Sequence, residues 1–240
     1  MNTTRSLYVE PEPLQSEAEP PMLELRDVFR IYRSGATETV ALRGLDLEVA
    51  RGSFVAILGP SGCGKSTLLA LAAGLDVPSA GEVRLRGRSL TRLDDDALAR
   101  LRASEIAIVL QNDNLWPSLS ARENVTVSLG LAGVPYPQQA ALRALDAFGL
   151  LDRAGHRPSS LSGGEQQRVA IAAAAGREAA LVVADEPTGE LDRENEQIVL
   201  DALRRLCEEC GSTIVTVTHS EQVAAAADRV IEMRDGRVIS

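Results

Sequence analysis

Aromatic residues are scarce in this chain. They make up 3% of its 240 residues, with one tryptophan, three tyrosines and three phenylalanines. The core of a folded domain must therefore be built from Ala, Val, Leu and Ile. The share of hydrophobic residues, 45%, and of charged residues, 25%, is that of an ordinary globular protein. The length suffices for one large domain or two small ones.

Long apolar runs and targeting signals are also missing. No apolar run approaches the ~20 residues that a membrane-spanning helix needs. The N-terminal segment does not have the basic-then-apolar order of a secretion signal, and it is rich in Pro and Glu. We therefore predict a disordered tail over residues 1–21, a folded domain over residues 22–240 and a cytoplasmic location.

Positive charge and cysteine are both in short supply. The formal net charge is −9, and a protein held to nucleic acid by phosphate contacts needs a broad basic surface, so we predict no nucleic-acid partner. Of the three cysteines, Cys207 and Cys210 form a C-x-x-C pair at the end of a predicted amphipathic helix. A zinc site would need two more ligands, which favours two helix-end thiols over a metal site.

Strand and helix patterns alternate along the rest of the chain. Alternating segments at residues 22–32 and 40–52 predict antiparallel strands. Short apolar runs predict buried strands at residues 54–58, 105–110, 180–184 and 213–218. Between about residues 112 and 178, helical patterns replace the strands. This order predicts an α/β fold with a mainly parallel, doubly wound core sheet, an antiparallel β-subdomain and an inserted α-helical subdomain.

A phosphate-binding loop follows the predicted strand at residues 54–58. Residues 59–67 (GPSGCGKST) fit G-x-x-x-x-G-K-[ST] and lie between a strand and a helix, as the motif requires. Its glycines let backbone N–H groups point at phosphate oxygens. Lys65 would supply charge to the β- and γ-phosphates, and the Ser66 hydroxyl suits Mg²⁺. The nucleotide contacts expected from this loop are Gly59, Ser61, Gly62, Cys63, Gly64, Lys65, Ser66 and Thr67.

Two carboxylates follow another predicted buried strand, in the sequence LVVADE at residues 181–186. Ligands of open α/β sheets gather at the C-terminal ends of such strands. Asp185 would hold Mg²⁺ through water, and Glu186 would polarise the attacking water. An acidic turn after a strand is common in isolation, but its pairing with the phosphate-binding loop favours the functional interpretation.

A second glycine-rich loop, LSGGEQQR at residues 161–168, precedes an apolar-periodic helix. Free N–H groups at a helix N-terminus make a good anion site, yet one ATP does not need two such loops so far apart in sequence. Because it combines LSGGEQQR with the two preceding motifs, the chain resembles the ATP-binding subunits of ABC transporters. The resemblance runs from about Leu23 to the C-terminus and implies a P-loop NTPase domain of ABC type.

The resemblance includes four further features of the sequence. Gln111 ends a strand as the family's Q-loop glutamine does, Leu191 and Asp192 match the D-loop, and His219 follows a strand as the switch histidine does. Tyr32 lies where the family stacks an aromatic ring on adenine. Each of these features is weak evidence alone, since a lone Gln or His at a strand end is usually a polar residue with ordinary hydrogen-bond partners and no function. Their order and spacing together support the resemblance.

Roles for these residues also come from the resemblance. Gln111 would contact Mg²⁺ and the attacking water, and His219 would reach the γ-phosphate. The expected catalytic residues are Glu186, His219 and Gln111, and the expected metal ligands are Ser66, Gln111 and Asp185. The expected nucleotide contacts outside the phosphate-binding loop are Tyr32, Asp192 and, on the nucleotide of a second copy, Ser162, Gly163, Gly164 and Glu165.

The implied function is that of an ATPase motor subunit. Two copies would close around two ATP and drive multi-span transmembrane subunits at the inner face of the cell membrane. The segment from Leu115 to Val125 (LWPSLSARENV) resembles the surface that receives the membrane subunit. Within the family, residues 40–69 and the stretch ADEPTGELD are most like the lipoprotein-release and macrolide-export branch, which implies an exporter or a system that handles lipids, lipoproteins or peptides.

Alternatives and departures remain. An ABC ATPase that acts on DNA or ribosomes would need long coiled coils or a second ATPase half, and a P-loop kinase would not need LSGGEQQR. An ATPase adaptor of a cell-division-like complex, which does not transport, stays open as the alternative. After residue 172 the family commonly continues with Arg-Ala-Leu, whereas residues 173–176 of this chain are AAAG. Glu190 stands where the D-loop more often has Asn or Ser. A carboxylate there would slow closure of the dimer.

Overall fold

The structure, a computed structural model, describes residues 19–35 and 37–239. Most of the predicted tail, residues 1–18, lies outside the described residues. The strands are β1 (Leu23–Ser34), β2 (Thr37–Val49), β3 (Phe54–Leu58), β4 (Ala80–Leu85), β5 (Arg88–Ser89), β6 (Ile106–Val109), β7 (Leu181–Asp185), β8 (Thr213–Val217), β9 (Arg229–Arg234) and β10 (Arg237–Val238). The α-helices are α1 (Lys65–Ala72), α2 (Asp95–Ser104), α3 (Ala121–Leu131), α4 (Pro137–Ala147), α5 (Gly163–Gly176), α6 (Arg193–Cys210) and α7 (Glu221–Ala226).

A six-stranded sheet in the order β10-β9-β3-β8-β7-β6 forms the centre of the domain. Its pairings from β9 to β6 are parallel, and β10 adds an antiparallel edge. Val55 and Ile57 share a hydrophobic cluster with Leu68 of α1, whereas Phe54 packs in a different cluster with residues of α5 and α6. Side chains alternate between the faces of a strand, so β3 buries both of its faces. This explains why it reads as an unbroken apolar run.

A four-stranded antiparallel sheet, in the order β2-β1-β4-β5, packs on the α1 side. Val28 of β1 and Leu45 of β2 belong to the same hydrophobic cluster as α1. The two sheets confirm the predicted combination of a mainly parallel core with a separate antiparallel β-unit. The strand β10 was not predicted, because two residues are too few to show a periodic pattern.

Helices α3, α4 and α5 lie between β6 and β7 and share a hydrophobic cluster that includes Val125, Leu129 and Leu145. Among the described residues, this part of the chain has no strand. Capping boxes begin two of its helices, Ser120 with Glu123 at α3 and Ser162 with Glu165 at α5. Each box satisfies two N–H groups that a helix start would otherwise leave unpaired.

The amphipathic helix predicted to end at the C-x-x-C pair is present as α6, and it is terminated by Gly211 in the left-handed conformation, φ 69°. Cys207 on this helix is buried and Cys210 is exposed. Within the part of the chain that the structure describes, none of the helices combines the length and the apolarity required to traverse a bilayer.

Candidate nucleotide-binding and catalytic site

A cleft of about 940 Å³ opens at the C-terminal edge of the central sheet. Parallel strands end at the same edge, so the loops after β3, β6, β7 and β8 meet there although they are far apart in sequence. The predicted site residues that line the cleft are Ser61, Gly62, Lys65, Ser66, Gln111, Asp185, Glu186 and His219. The fold thus brings together residues from all four of these loops.

The loop at residues 59–67 joins β3 to the first turn of α1. Gly64 has a φ of 105°, and a Cβ atom there would lie 2.5 Å from the carbonyl oxygen of Ala41, so only glycine fits. Lys65 is 8% exposed. Its Nζ donates to the carbonyl oxygens of Gly59 at 2.7 Å and Pro60 at 3.0 Å, which holds the ammonium group at the mouth of the loop.

Part of the predicted phosphate-binding loop does not line the cleft. Gly59, Cys63, Gly64 and Thr67 are outside its lining residues. The Cys63 side chain is 4% exposed and belongs to the hydrophobic core under α1. Its N–H donates to Pro60 at 3.3 Å, and its carbonyl oxygen accepts from the N–H of Gly236 at 3.0 Å. The buried side chain and the two backbone bonds of Cys63 therefore anchor the loop, and the predicted nucleotide contacts of these four residues stay predictions.

Glu186 and His219 both line the cleft and contact one another. Glu186 Oε2 accepts from the backbone N–H of His219 at 3.1 Å, and Glu186 Oε1 lies 3.4 Å from His219 Nε2. The backbone N–H of Glu186 donates to Val217 at 3.0 Å, which ties the end of β7 to the end of β8. The carboxylate and the imidazole are thereby held as one unit.

Gln111 lies in the Q-loop, here residues 110–114, directly after β6. Its Nε2 is 3.4 Å from Glu190 Oε1, and the same oxygen accepts from Asn112 Nδ2 at 3.1 Å. Glu190 belongs to the D-loop, here residues 189–192. The unusual carboxylate noted in the sequence therefore makes a direct contact between the D-loop and the Q-loop.

Glu196 is a cleft residue that the sequence patterns did not reveal. It lies in the first turn of α6 and lines the cleft. Its Oε1 accepts from the hydroxyl groups of Ser220 and Thr188, at 2.5 Å and 3.2 Å. The carboxylate thus connects the loop after β7, the start of α6 and the loop that carries His219. In sequence it reads only as one of several acids at a helix start.

The signature loop, residues 162–165, begins α5. Ser162 Oγ accepts from the N–H of Glu165 at 3.2 Å, and Glu165 Oε2 accepts from the N–H of Ser162 at 2.8 Å. The Arg153 guanidinium, together with that N–H group, holds the pKa of the Glu165 carboxyl below its usual range. A Cβ atom on Gly164 would lie 2.8 Å from Asn195 Oδ1, so this glycine permits close packing of α5 against α6.

The signature loop does not reach the cleft that holds the phosphate-binding loop. Gly163 instead lines a smaller neighbouring cavity of about 110 Å³, which borders the cleft at the Q-loop and the D-loop. Ser162, Gly164 and Glu165 line neither cavity. Within one chain, the described residues therefore form two anion-type loops that face different spaces.

Asp192 and Tyr32 also lie outside the cleft lining. Asp192 caps α6: its Oδ1 accepts from the N–H of Asn195 at 2.9 Å, and this bond holds the pKa of the Asp192 carboxyl below its usual range. Tyr32 lies on β1 with 40% of its surface exposed. The Arg30 guanidinium lies 4.5 Å from its ring centroid, and the Tyr32 hydroxyl donates to Asp76 Oδ2 at 3.0 Å.

Known proteins resemble this chain over most of its described length. The family model of ABC transporters matches residues 42–189. The chain is 46% identical over 223 residues to the macrolide export ATP-binding/permease protein MacB of Hyphomonas neptunium, covering 92% of this chain and 34% of that protein. It is 43% identical over 219 residues to an uncharacterized ABC transporter ATP-binding protein of Thermotoga maritima, covering 90% of this chain and 93% of that protein.

The fold matches solved ATP-binding cassettes. A dimeric, post-hydrolysis state of the cassette MJ0796 bound to ADP and Pi aligns with a TM-score of 0.83 at 39% identity, covering 91% of this chain and 97% of that chain. The chain belongs to the ABC transporter family, and it is an ATP-binding cassette with ATPase activity. It spans 34% of the length of the macrolide-export relative named above.

Proposed function

We propose that this chain is the motor subunit of a membrane transporter, in which two copies close around two ATP. The observation that supports this most strongly is the separation of the two anion-type loops: one lines the cleft, and the other lies outside it. A second copy, facing the first, would bring its signature loop to the cleft of its partner. The dimeric cassette MJ0796 is a relative in which two copies assemble.

Hydrolysis in this proposal is an in-line attack of water on the γ-phosphorus of ATP. Glu186 takes the proton from the water, the bond from the γ-phosphorus to the bridging oxygen breaks, and ADP leaves with that electron pair. Lys65 and His219 stabilise the charge on the phosphate oxygens. The bond between Glu186 and the His219 N–H supports this, because it holds the carboxylate at a defined place.

Magnesium fits the same cleft. Ser66, Gln111 and Asp185 all line it, and they carry a hydroxyl, an amide and a carboxylate oxygen, the donor types that Mg²⁺ prefers. We propose that these three residues hold the ion, with Asp185 acting through water. Bound there, the ion supplies charge neutralisation on the phosphates.

Adenine is held by Tyr32 in this proposal. The Arg30 guanidinium covers one face of the ring, and adenine would stack on the other.

Tyr32→Ala is expected to weaken ATP binding about tenfold, because stacking of a base on an aromatic ring contributes ~1–3 kcal/mol. Titration with a fluorescent ATP analogue measures this. Tyr136→Ala is the control, since Tyr136 is an exposed tyrosine outside the cleft, and an equal loss in both variants would contradict the assignment.

An apolar groove of about 250 Å³ is the proposed docking site of the membrane subunit. Its lining includes Leu115, Trp116, Val125 and Leu131. Trp116 is 50% exposed and Leu131 67% exposed, so two large apolar side chains face solvent at this groove. Exposed apolar patches of this kind mark interaction sites. In this proposal the chain is cytoplasmic and peripheral at the inner face of the membrane through this contact.

Trp116→Ala tests the docking surface. We expect the variant to keep the ATPase rate of the isolated chain and to lose co-purification with the proposed multi-span membrane subunit, because a buried aromatic anchor is often worth ~2 kcal/mol or more at an interface. Tyr136→Ala is the matched control, an exposed aromatic outside the groove. Equal retention of the membrane subunit by both variants would contradict the assignment of this groove as the docking site.

The direction and cargo are proposed to be those of an exporter of the macrolide-export or lipoprotein-release type. The 46% identity to MacB supports this branch. The purified complex, reconstituted in vesicles, is expected to move an amphiphilic cargo, such as a macrolide or a lipopeptide, away from the ATP-hydrolysing side. Steady ATP turnover by the complex without net movement of any such cargo would favour the cell-division-like adaptor instead.

A further inference from the structure

We infer that Gln167 is a positioning residue that couples the Q-loop to the signature loop. Through it, the contact of one chain with its own ATP affects the contact of that chain with the ATP of the partner copy. The inference rests on the proposed function, because it takes Gln111 to contact ATP and Ser162 to contact the ATP of the partner copy. Gln167 itself is outside the cleft lining. It acts through the backbone of the Q-loop.

Gln167 is a buried polar side chain with defined partners. It is 4% exposed and lies on α5, one helical turn after Gly163. Its Nε2 donates to the carbonyl oxygens of Leu110 at 2.8 Å and Gln111 at 2.7 Å. Its Oε1 accepts from Asn114 Nδ2 at 3.0 Å. Both amide hydrogens and the amide oxygen of Gln167 are therefore used to hold the Q-loop.

The Q-loop is itself closed by Asn114. Asn114 Oδ1 accepts from the N–H of Leu110 at 2.7 Å, and Asn114 Nδ2 donates to the carbonyl oxygen of Leu110 at 2.7 Å. The loop is thus a small ring that is attached to α5 through one side chain. A shift of the Gln111 backbone must either move α5 or break these hydrogen bonds, and breaking them leaves the buried amide group of Gln167 without its partners.

The start of α5 carries the signature loop, so the two loops are mechanically joined. When ATP binds in the cleft and displaces Gln111, the signature loop moves with it toward the geometry that a partner's ATP requires. Linkage makes the effect reciprocal: engagement of the signature loop by the partner changes the position of Gln111 in its own cleft. Gln167 thereby makes ATP binding at one site favour closure at the other.

The neighbouring Gln166 provides a matched control. Its Nε2 donates to the carbonyl oxygens of Pro158 at 3.1 Å and Leu161 at 3.2 Å. It therefore makes the same kind of bonds from the same helix, but to residues that precede the signature loop and not to the Q-loop. Gln166→Met and Gln167→Met each remove two side-chain hydrogen bonds to carbonyl groups, and only the second cuts the link between the loops.

Hydrogen exchange of the dilute, monomeric chain with and without MgATP tests the coupling directly. In the unmodified chain and in Gln166→Met, MgATP is expected to change exchange in peptides from both the Q-loop and the first turns of α5. In Gln167→Met the change is expected in the Q-loop peptide alone. An α5 response that survives in Gln167→Met, or that is missing from the unmodified chain, would overturn the inference. If Gln167→Met does not fold, Gln167→Glu tests the same link with the same expected loss, because a carboxylate keeps the size of the amide but cannot donate to the carbonyl oxygens of Leu110 and Gln111.

A second readout uses the ATP-bound dimer. In a Glu186→Gln background, Gln167→Met is expected to raise the dimer dissociation constant about tenfold without changing the affinity of the monomer for MgATP, a coupling of the usual size. Gln166→Met is expected to leave the dimer dissociation constant as it is, and an equal rise in both variants would overturn the inference. Failure of the Glu186→Gln chain itself to dimerise would contradict the proposed function, whereas the exchange experiment on the monomer would still decide the role of Gln167.

Discussion

Glu186→Gln is expected to bind ATP with unchanged affinity, to hydrolyse it about 10³-fold more slowly and to accumulate as an ATP-bound dimer, since a positioned general base contributes ~10²–10⁴-fold. The amide keeps the size of the carboxylate and can still accept from the His219 N–H, but it cannot take a proton from water. The phosphate-binding loop, which lies on different elements, is untouched. Phosphate release under saturating ATP and sedimentation velocity with and without ATP measure the two effects.

The control is Glu208→Gln, which removes the same charge at an exposed position near the end of α6. It is outside the cleft lining and is expected to hydrolyse ATP at the normal rate. A Glu186→Gln chain that stays monomeric at saturating ATP would speak strongly against the two-copy arrangement. A Glu186→Gln chain that hydrolyses ATP at the rate of the unmodified chain would show that Glu186 is not the general base.

Ser162→Asp is expected to abolish ATP-dependent dimerisation while leaving the single chain folded and able to bind ATP. Asp caps a helix as well as Ser does, and a negative charge is favourable at a helix N-terminus. In the proposed dimer, however, the new carboxylate would face the γ-phosphate of the partner's ATP. Repulsion between two charges at contact distance is expected to weaken the dimer at least about 100-fold.

Ser162→Asn is the matched control, because it caps α5 equally well and adds no charge. It is expected to dimerise nearly as well as the unmodified chain, when both variants are compared in the Glu186→Gln background by sedimentation. If the Asp and Asn variants dimerise equally, residue 162 does not face a phosphate. Thermal unfolding of the single chains, measured in parallel, verifies that neither substitution acts through stability.

Mixing two inactive chains extends the same experiment. Lys65→Ala removes the lysine that is proposed to bind the phosphates in its own cleft, and Ser162→Asp disables the signature loop that, in the proposed dimer, faces a partner's ATP. A mixed dimer of these two chains still has one site with an intact Lys65 and an intact Ser162. ATPase activity that appears only on mixing is therefore expected, and its absence would count against sites shared between copies.

Sequence patterns predicted those strands and helix starts that depend on residues close to one another in the sequence. The apolar runs of β3, β7 and β8 are buried strands because each is covered on both faces. Asp192 and Ser162 each precede a helix that begins at the next residue, since a side-chain cap acts within three residues of its own position. Two-residue strands such as β10 carry no such pattern and became visible only in the fold.

Contacts between distant loops were beyond the sequence patterns. Glu196 lies beside Ser220, 24 residues away in the chain, and Glu190 meets Asn112, 78 residues away. Gln167 reads in the sequence as one more polar residue of a helix, yet it is buried against the Q-loop. Such pairings depend on how strands order themselves in a sheet, which a linear pattern does not encode.

By itself, the sequence determined the chemistry of this protein: the phosphate-binding loop, the two carboxylates after β7 and the second glycine-rich loop are short motifs whose backbone geometry is set by their own residues. Only the tertiary structure decided which of these motifs share a space. It gathered Lys65, Glu186 and His219 into one cleft and left Ser162 outside it, because parallel strands end at one edge of the sheet whereas α5 begins on the far side of the Q-loop and D-loop.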